Sequence, residues 1–240
     1  MNRIFITGDI HGDMDLFRFS SKRFPQGTSL TKDDYVIIAG DFGLLWSNIP
    51  DNRELYNIKW LKNKPWTTLF VDGNHENFSR LNNLPTQEIF GGTVGVVEES
   101  VYHLKRGQIY TICGKKFFCF GGALSWDIKY RTLGISYWEE EVPNCAEMDF
   151  GLRTLESAQY NVDYIVTHTL PKSLIPILGF SKNPDDKIDP TISYLDHIAN
   201  CATFKNWYFG HMHVNKKLGK FHALFEDIVE ITLDVDTLVE

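Results

Sequence analysis

The chain has 240 residues, of which 43% are hydrophobic and 23% are charged, and its formal net charge at pH 7 is −7. This apolar content is enough to build a sizeable core, which excludes an intrinsically disordered chain. The net negative charge argues against a broad nucleic-acid-binding surface. Bound divalent cations would, however, neutralise some of the carboxylates that contribute to this charge.

Predicted strands and helices alternate along the chain. Runs of β-branched and aromatic residues predict buried strands at residues 3–7, 35–39, 67–71, 164–167 and 206–209. Apolar residues at helical spacing predict helices from residue 16 onward and across residues 55–61, 148–155 and 192–198. This alternation favours an α/β fold whose sheets are buried under helices.

Two regions depart from the alternation. Residues 101–120 are interpreted as a group of antiparallel strands, and Gly219 is interpreted as part of a hairpin turn between residues 214–218 and 221–224. The sheet system is therefore predicted to be mixed. Residues 121–143, GGALSWDIKYRTLGISYWEEEVP, are irregular, and such long segments in compact domains are often functional.

The chain shows no linker-like tract or internal repeat, so the sequence predicts a single domain over residues 1–240. It opens without a basic-then-apolar leader, and no apolar run reaches the length of a membrane span. These features predict a cytoplasmic protein with no membrane partner.

The four cysteines form no CxxC pair and are interpreted as small core residues. The sequence does not indicate an oligomeric state.

Side chains able to bind a metal ion follow each predicted strand outside the antiparallel group. They are Asp9, His11, Asp41, Asn74, His75, His168, His211 and His213. The carboxyl ends of strands in an open α/β sheet border one crevice, so these side chains are expected to converge there. On extended backbone, residues i and i+2 point to the same side, so Asp9 and His11 would offer two donors to one site, as would His211 and His213.

This mixture of carboxylate, amide and imidazole donors suits Mn²⁺, Fe²⁺ or Zn²⁺ better than Ca²⁺ or a structural zinc ion. Even without His75, the seven remaining donors exceed the need of one small cation, so the prediction is two divalent ions about 3.5–4 Å apart, bridged by one carboxylate. Mn²⁺ is preferred, with Fe²⁺, Zn²⁺ or Ni²⁺ as alternatives. Each residue alone could instead be a helix cap or a core histidine, but a whole ordered set of such residues is improbable.

Five short motifs occur in a fixed order: GDIHG at residues 8–12, GD at 40–41, GNHE at 73–76, His168 after a strand, and GHMH at 210–213. Together they resemble the motifs of calcineurin-like metallophosphoesterases, and the resemblance spans residues 8–213. GGALSWDIKYR and the later YWEEEVP resemble a small bacterial and phage-borne branch of that family. The implied fold is a sandwich of two mixed β-sheets flanked by helices.

The resemblance also implies roles for the site residues. Asp9, His11 and His213 would bind one cation, Asn74, His168 and His211 would bind the other, and Asp41 would bridge them. A hydroxide held between the cations would attack phosphorus in line. His75 would be the general acid, or would contact the phosphoryl oxygens together with Asn74. The implied activity is hydrolysis of a phosphodiester or phosphomonoester of a nucleotide, nucleic acid or other small molecule.

Departures from the family pattern bear on the substrate. Protein Ser/Thr phosphatases of this family carry GDxxDRG at the second motif, where this chain has Leu44 and Leu45 for Asp and Arg, and they carry Arg where this chain has Asp72. The loss of two phosphate-binding arginines disfavours a protein phosphatase, which stays an alternative together with a non-catalytic scaffold.

Lys129 and Arg131 are candidate replacements that would contact the substrate. Flat faces for a base are offered by the aromatic residues of the irregular segment, Trp126, Tyr130, Tyr137 and Trp138. The acidic run at residues 139–141 is interpreted as a solvated face, and Asp13 and Asp15 as the start of the first helix.

Overall fold

The computed structural model describes residues 2–180 and 189–233. Within these residues the chain forms thirteen strands: β1 Ile4–Thr7, β2 Tyr35–Ala39, β3 Thr67–Val71, β4 Thr86–Ile89, β5 Gly92–Glu98, β6 Val101–Leu104, β7 Gln108–Ile112, β8 Lys115–Phe120, β9 Tyr164–Thr167, β10 Asn206–Phe209, β11 Lys216–Leu218, β12 Phe221–Ala223 and β13 Val229–Ile231. The domain predicted over residues 1–240 stays a prediction, and residues 1, 181–188 and 234–240 lie outside the described part.

The same residues form five α-helices: α1 Asn52–Lys62, α2 Phe78–Leu81, α3 Cys145–Ser157, α4 Ile175–Leu178 and α5 Pro190–Cys201. Short 3₁₀-helices occur at Leu16–Phe19, Pro25–Ser29, Ile128–Tyr130, Glu139–Glu141 and Lys172–Leu174. None of the helices in the described ranges is both long enough and apolar enough to cross a bilayer.

The strands form two mixed sheets. The seven-stranded sheet has the order β13-β1-β2-β3-β6-β5-β4, with β1, β2, β3 and β6 parallel and the other strands antiparallel to their neighbours. The six-stranded sheet has the order β11-β12-β10-β9-β8-β7, with parallel pairing from β12 to β8 and an antiparallel strand at each edge. This arrangement confirms the predicted pair of mixed sheets.

Alternation along the strands distributes the core over both faces of each sheet. Ile4 and Ile6 of β1 lie in the cluster that joins the two sheets, whereas Phe5 lies in the cluster under α1. In β8, Phe117 faces the other sheet and Phe118 faces the cluster that contains residues of α3 and α5. Because successive side chains point to opposite faces, each sheet is covered on both sides, as the predicted sandwich flanked by helices requires.

Four of the predicted strands have the predicted bounds, namely β2, β3, β9 and β10. The group at residues 101–120 is divided between the sheets: β7 and β8 form the expected antiparallel pair, but β6 pairs in parallel with β3. Gly107, with φ 77°, lies in the turn between β6 and β7 where the chain passes to the second sheet. The helix predicted from residue 16 is only the 3₁₀-helix Leu16–Phe19, and Asp15 forms no side-chain cap there.

Candidate metal centre

The loops that follow β1, β2 and β3 in one sheet, and β9 and β10 in the other, bring the predicted ligands together. Four of them, Asp9, His11, Asp41 and His213, have ligand atoms that all lie within 4.8 Å of one another. His213 Nε2 is 3.1 Å from Asp9 Oδ2, and His11 Nε2 is 3.4 Å from Asp41 Oδ2. These are distances expected between donor atoms that face a common ion.

The other predicted ligands lie on the second side of Asp41. His168 Nε2 is 3.2 Å from Asp41 Oδ1 and 3.0 Å from Asn74 Oδ1. The ring of His211 lies 4.9 Å from that of His168. Asp41 therefore directs one oxygen to each group, which is the arrangement that a bridging carboxylate needs. The described residues fit a pair of divalent cations.

Hydrogen bonds at Nδ1 fix the orientation of two of the imidazoles. His168 Nδ1 donates to the carbonyl oxygen of Ala39 at 3.0 Å, and His11 Nδ1 donates to Asp15 Oδ2 at 3.2 Å. Because Nδ1 of each ring is engaged by these acceptors, Nε2 is the nitrogen that faces Asp41 and is the one available to a metal ion. Asp15, which directly precedes the 3₁₀-helix Leu16–Phe19 as predicted, therefore also orients His11.

The backbone at the ligands is left-handed, not extended. The φ angles are 44° for His11, 48° for Asp41, 63° for His211 and 48° for His213, so the predicted extended geometry for the two i, i+2 pairs is wrong. Non-glycine residues pay about 1–3 kcal/mol for such conformations, which persist where the surroundings determine them. Here main-chain donors hold them, since His211 N–H donates to Asp9 Oδ1 at 3.0 Å and His75 N–H donates to Asp41 Oδ1 at 2.8 Å.

The motif glycines provide clearance for neighbouring ligands. A Cβ added to Gly73 would lie 2.1 Å from Asp41 Oδ1, and a Cβ added to Gly210 would lie 2.0 Å from Asp9 Oδ1. Neither distance is compatible with a side chain. In GNHE and GHMH, glycine is therefore needed so that the backbone can approach a carboxylate of another loop.

Charges at the centre attract a cation. Asp9 and Asp41 are 0% and 1% exposed. Burial opposes ionisation of Asp41, but the nearby His168 and His11 lower its pKa overall. Burial likewise opposes protonation of His11, but its hydrogen bond to Asp41 and the charges of Asp41 and Asp9 raise its pKa to about 9. A site that stabilises a positive charge so strongly suits divalent metal ions.

His75 lies at the edge of the centre. Its ring stacks on Trp46 at a centroid distance of 6.0 Å, and its Nε2 is 3.0 Å from Arg131 Nη2. Because a guanidinium only donates, Nε2 accepts this hydrogen bond. Burial and the charge of Arg131 lower the pKa of His75 below its ordinary value, against the attraction of Asp41. Sequence reasoning missed Trp46, which bears no motif signal.

A cavity of about 790 Å³ opens in front of His11, His75 and His213, and Arg131 is part of its lining. Asp127 Oδ1 accepts from Arg131 Nε at 2.7 Å and so fixes the guanidinium beside His75. Lys129 is not part of this lining, and its ammonium lies 5.2 Å from the ring centre of Tyr130. The structure therefore brings Arg131, but not Lys129, to the predicted site.

The aromatic candidates differ in accessibility. Trp126 is 56% exposed with its ring 6.2 Å from that of His211, and Tyr130 is 80% exposed. Tyr137 is partly buried. Trp138 is buried and donates to Ser79 Oγ at 3.2 Å, so its face is part of the core. Only Trp126 combines an exposed face with a position beside the ligands.

Asp72, which replaces an arginine of the family pattern, faces inward. Its carboxylate is 1% exposed and contacts Arg106 Nη2 at 2.6 Å and His103 Nε2 at 3.0 Å. Leu44 and Leu45 belong to the core under α1. Sequence reasoning missed Arg106, because an isolated arginine after a strand carries no pattern that marks it as buried.

The run Glu139–Glu141 is not uniformly solvated, which corrects its predicted role. Glu139 and Glu140 are exposed, but Glu141 is 1% exposed. Its carboxylate accepts from the backbone N–H of Ser125 at 2.8 Å and from Ser125 Oγ at 2.9 Å. The buried Glu141 thus holds another residue of the irregular segment, Ser125, in place.

Comparisons with known proteins agree with this geometry. Residues 2–215 match the family described as calcineurin-like phosphoesterase. A lariat debranching enzyme from Schizosaccharomyces pombe (strain 972 / ATCC 24843) is 25% identical over 251 aligned residues, which cover 94% of this chain and 51% of that enzyme. The chain thus spans about half the length of this curated relative. A solved structure of phosphopantetheinyl hydrolase from Mycobacterium tuberculosis aligns with 93% of this chain and 88% of that chain, with a TM-score of 0.47 and 14% identity.

Proposed function

Because the chain belongs to the calcineurin-like phosphoesterase family, we propose that it is a binuclear-metal phosphoesterase that hydrolyses a phosphate ester of a nucleotide, nucleic acid or other small molecule. The observation that carries the proposal is the position of Asp41, whose two oxygens face His11 on one side and His168 on the other. A lone structural ion would not need a carboxylate between two separate groups of donors.

In this proposal Asp9, His11 and His213 would hold one cation, Asn74, His168 and His211 would hold the other, and Asp41 would be shared by the two groups. The cations would supply charge neutralisation at the phosphoryl oxygens and would lower the pKa of the attacking water. Mn²⁺ suits the mixture of oxygen and imidazole donors, and Fe²⁺, Zn²⁺ and Ni²⁺ are the alternatives.

His75 and Arg131 act on the substrate. Arg131 lines the cavity in front of the centre and donates to His75 there, and a phosphoryl oxygen is a stronger acceptor for its N–H groups than an imidazole nitrogen. When the phosphoryl group takes the Arg131 donor, His75 Nε2 is released from that hydrogen bond. Once Nε2 has taken up a proton from solvent, it can pass that proton to the leaving oxygen, as a general acid requires.

Two features support a nucleotide or nucleic acid as the substrate. Trp126 offers an exposed ring beside His211, and base stacking on aromatic side chains tolerates any base. The name of the yeast relative, lariat debranching enzyme, points in the same direction. The inward-facing Asp72 and the buried Leu44 and Leu45 leave no arginine at the positions that protein phosphatases of the family use.

The test is hydrolysis by purified protein loaded with Mn²⁺, using bis-p-nitrophenyl phosphate, p-nitrophenyl phosphate, dinucleotides and single-stranded DNA and RNA. Asp41→Asn is expected to abolish turnover and to reduce the bound metal measured by mass spectrometry. His75→Ala is expected to lower kcat by about 100-fold or more while the metal content stays unchanged.

The matched control is His197→Ala, which removes an exposed histidine on α5 and is expected to leave both quantities unchanged. Absence of turnover on every substrate, with no effect of His75→Ala, would contradict the proposal. Faster release of phosphate from phosphopeptides than from nucleotides would instead favour a protein phosphatase.

A further inference from the structure

Ser125 lies in the irregular segment and connects a predicted metal ligand to a buried carboxylate. The serine is 2% exposed, and its Oγ is 3.1 Å from Asn74 Nδ2 on one side and 2.9 Å from Glu141 Oε2 on the other. The backbone N–H of Ser125 donates to the second oxygen of Glu141 at 2.8 Å. No role in metal binding or catalysis was assigned to Ser125 or Glu141 above.

The direction of these hydrogen bonds follows from counting protons. With Glu141 ionised, as divalent cations at the centre would favour, the one proton of the Ser125 hydroxyl is donated to Glu141 Oε2, because an ionised carboxylate only accepts. Ser125 Oγ can then only accept from Asn74, so the neighbouring group must be the NH₂ of the amide. Asn74 Oδ1 is left facing the centre, 3.0 Å from His168 Nε2.

This direction matters because the two ends of an asparagine amide have nearly the same shape. Rotation by half a turn would present NH₂, which cannot bind a cation, in place of the oxygen. From the hydrogen-bond chain we infer that Ser125, held by Glu141, is a positioning residue that fixes the amide of Asn74 with its oxygen toward the metal centre. This inference rests on the proposed function, because it assigns Asn74 to the second cation.

The surroundings of Glu141 keep the chain of hydrogen bonds in place. The carbonyl oxygen of Glu141 accepts from the N–H of Ala123 at 3.0 Å, and Arg106 Nη2 donates to the carbonyl oxygen of Glu140 at 2.8 Å. Burial raises the pKa of the Glu141 carboxyl to about 7 in the protein alone. Divalent cations at the centre would act against this increase by favouring the negative form.

The experiment is a calorimetric titration of metal-free protein with Mn²⁺. Ser125→Ala removes the acceptor for the Asn74 amide and is expected to lower the affinity for the second Mn²⁺ ion by about 10–100-fold. This is the usual effect of removing a residue that hydrogen-bonds to a metal ligand. Glu141→Gln is also expected to lower the affinity for the second Mn²⁺ ion. The Gln oxygen must accept from the Ser125 N–H, so its NH₂ faces Ser125 Oγ and the hydroxyl proton turns toward Asn74.

A double variant tests whether Ser125 and Glu141 act on Asn74 through one chain of hydrogen bonds or independently. Ser125→Ala with Glu141→Gln is expected to bind the second ion no more weakly than Ser125→Ala alone, because both changes break the same chain. The matched control is Glu140→Gln, which removes an exposed charge from the adjacent residue and is expected to leave both ions unaffected.

Wild-type affinity for the second ion in either single variant would overturn the inference. Glu141→Gln conserves volume and carries the test if Ser125→Ala does not fold. The affinity of the first ion, held away from Asn74, is expected to change by less than about threefold in both variants. If wild-type protein itself bound fewer than two ions, the proposed function would fail first; two ions in wild type with unchanged variants would reject only the role of Ser125.

Discussion

Gly210→Ala tests whether the motif glycines exist to make room for metal ligands. The added Cβ would lie 2.0 Å from Asp9 Oδ1 and 2.6 Å from the carbonyl oxygen of Ala39, whereas real Cβ atoms stay at least 3.0 Å from such atoms. The new methyl group cannot avoid Asp9 by moving toward Ala39, because the backbone of β2 occupies that space. The carboxylate of Asp9, or the loop that holds His211 and His213, must therefore move by about 1 Å.

A displacement of this size exceeds what a metal site tolerates, since ligand distances are maintained within about 0.2 Å. We expect Gly210→Ala to weaken the ion held by Asp9, His11 and His213 by at least about 100-fold and to lower kcat/KM by a similar factor at limiting Mn²⁺. The measurements are metal content after dialysis and hydrolysis of bis-p-nitrophenyl phosphate across Mn²⁺ concentrations.

Gly219→Ala is the matched control. Gly219 has φ 60° and no heavy atom within 4 Å of the position of an added Cβ. The substitution introduces backbone strain, expected to cost about 1 kcal/mol of unfolding free energy, but it contacts no ligand. Wild-type Mn²⁺ binding by Gly210→Ala would refute the steric reasoning, and equal losses in both variants would show that the effect is general destabilisation.

Four further outcomes are expected. Arg106→Met leaves the Asp72 carboxylate buried without its guanidinium partner and is expected to lower the unfolding free energy, measured with urea, by about 3–5 kcal/mol. A decrease below about 1 kcal/mol would contradict this expectation. Burial opposes ionisation of Asp72, but Arg106 and His103 lower its pKa, so its contribution is complete above about pH 4 and is lost as pH falls. Asp72→Asn is therefore expected to flatten the decline of unfolding free energy below pH 4, and an unchanged decline would contradict this assignment. Trp126→Ala is expected to raise KM for dinucleotides about tenfold without changing Mn²⁺ affinity, and an equal KM would exclude stacking. Chelation with EDTA is expected to abolish turnover and to lower the melting temperature measured by calorimetry, because binding at 100 times Kd contributes about 2.7 kcal/mol; persistent activity would exclude metal catalysis.

The strands whose bounds were predicted from the sequence are those buried on both faces. Strands β2, β3, β9 and β10 read as continuous apolar runs, so their bounds followed from composition alone. By contrast, β4 has the sequence TQEI and is largely exposed at a sheet edge, so its pairing with β5 decides its conformation. Strands β4, β5 and β13 were not predicted; β4 and β13 lie at sheet edges, and β5 lies between β4 and β6 and is only partly buried.

The same distinction holds for the candidate site. Its ligands were predictable because each follows a strand and carries its own motif. Asp15, Trp46 and Ser125 were not, because their importance comes from a partner elsewhere in the chain. Glu141 was misinterpreted for a related reason: three consecutive acidic residues suggest a solvated surface, and only the tertiary structure shows which one turns inward.

Three contacts from the irregular segment meet the loop that carries GNHE. Ser125 accepts from Asn74, Arg131 donates to His75, and the N–H of Gly122 donates to the carbonyl oxygen of Asp72 at 3.0 Å. Asn74 and His75 are adjacent but have different proposed tasks, metal binding and proton transfer. A change in this one segment can therefore alter either task without altering the seven ligands. Variation among relatives with the same metal centre is then expected to concentrate in residues 121–143, where it would adjust the substrate while the ligand loops stay constant.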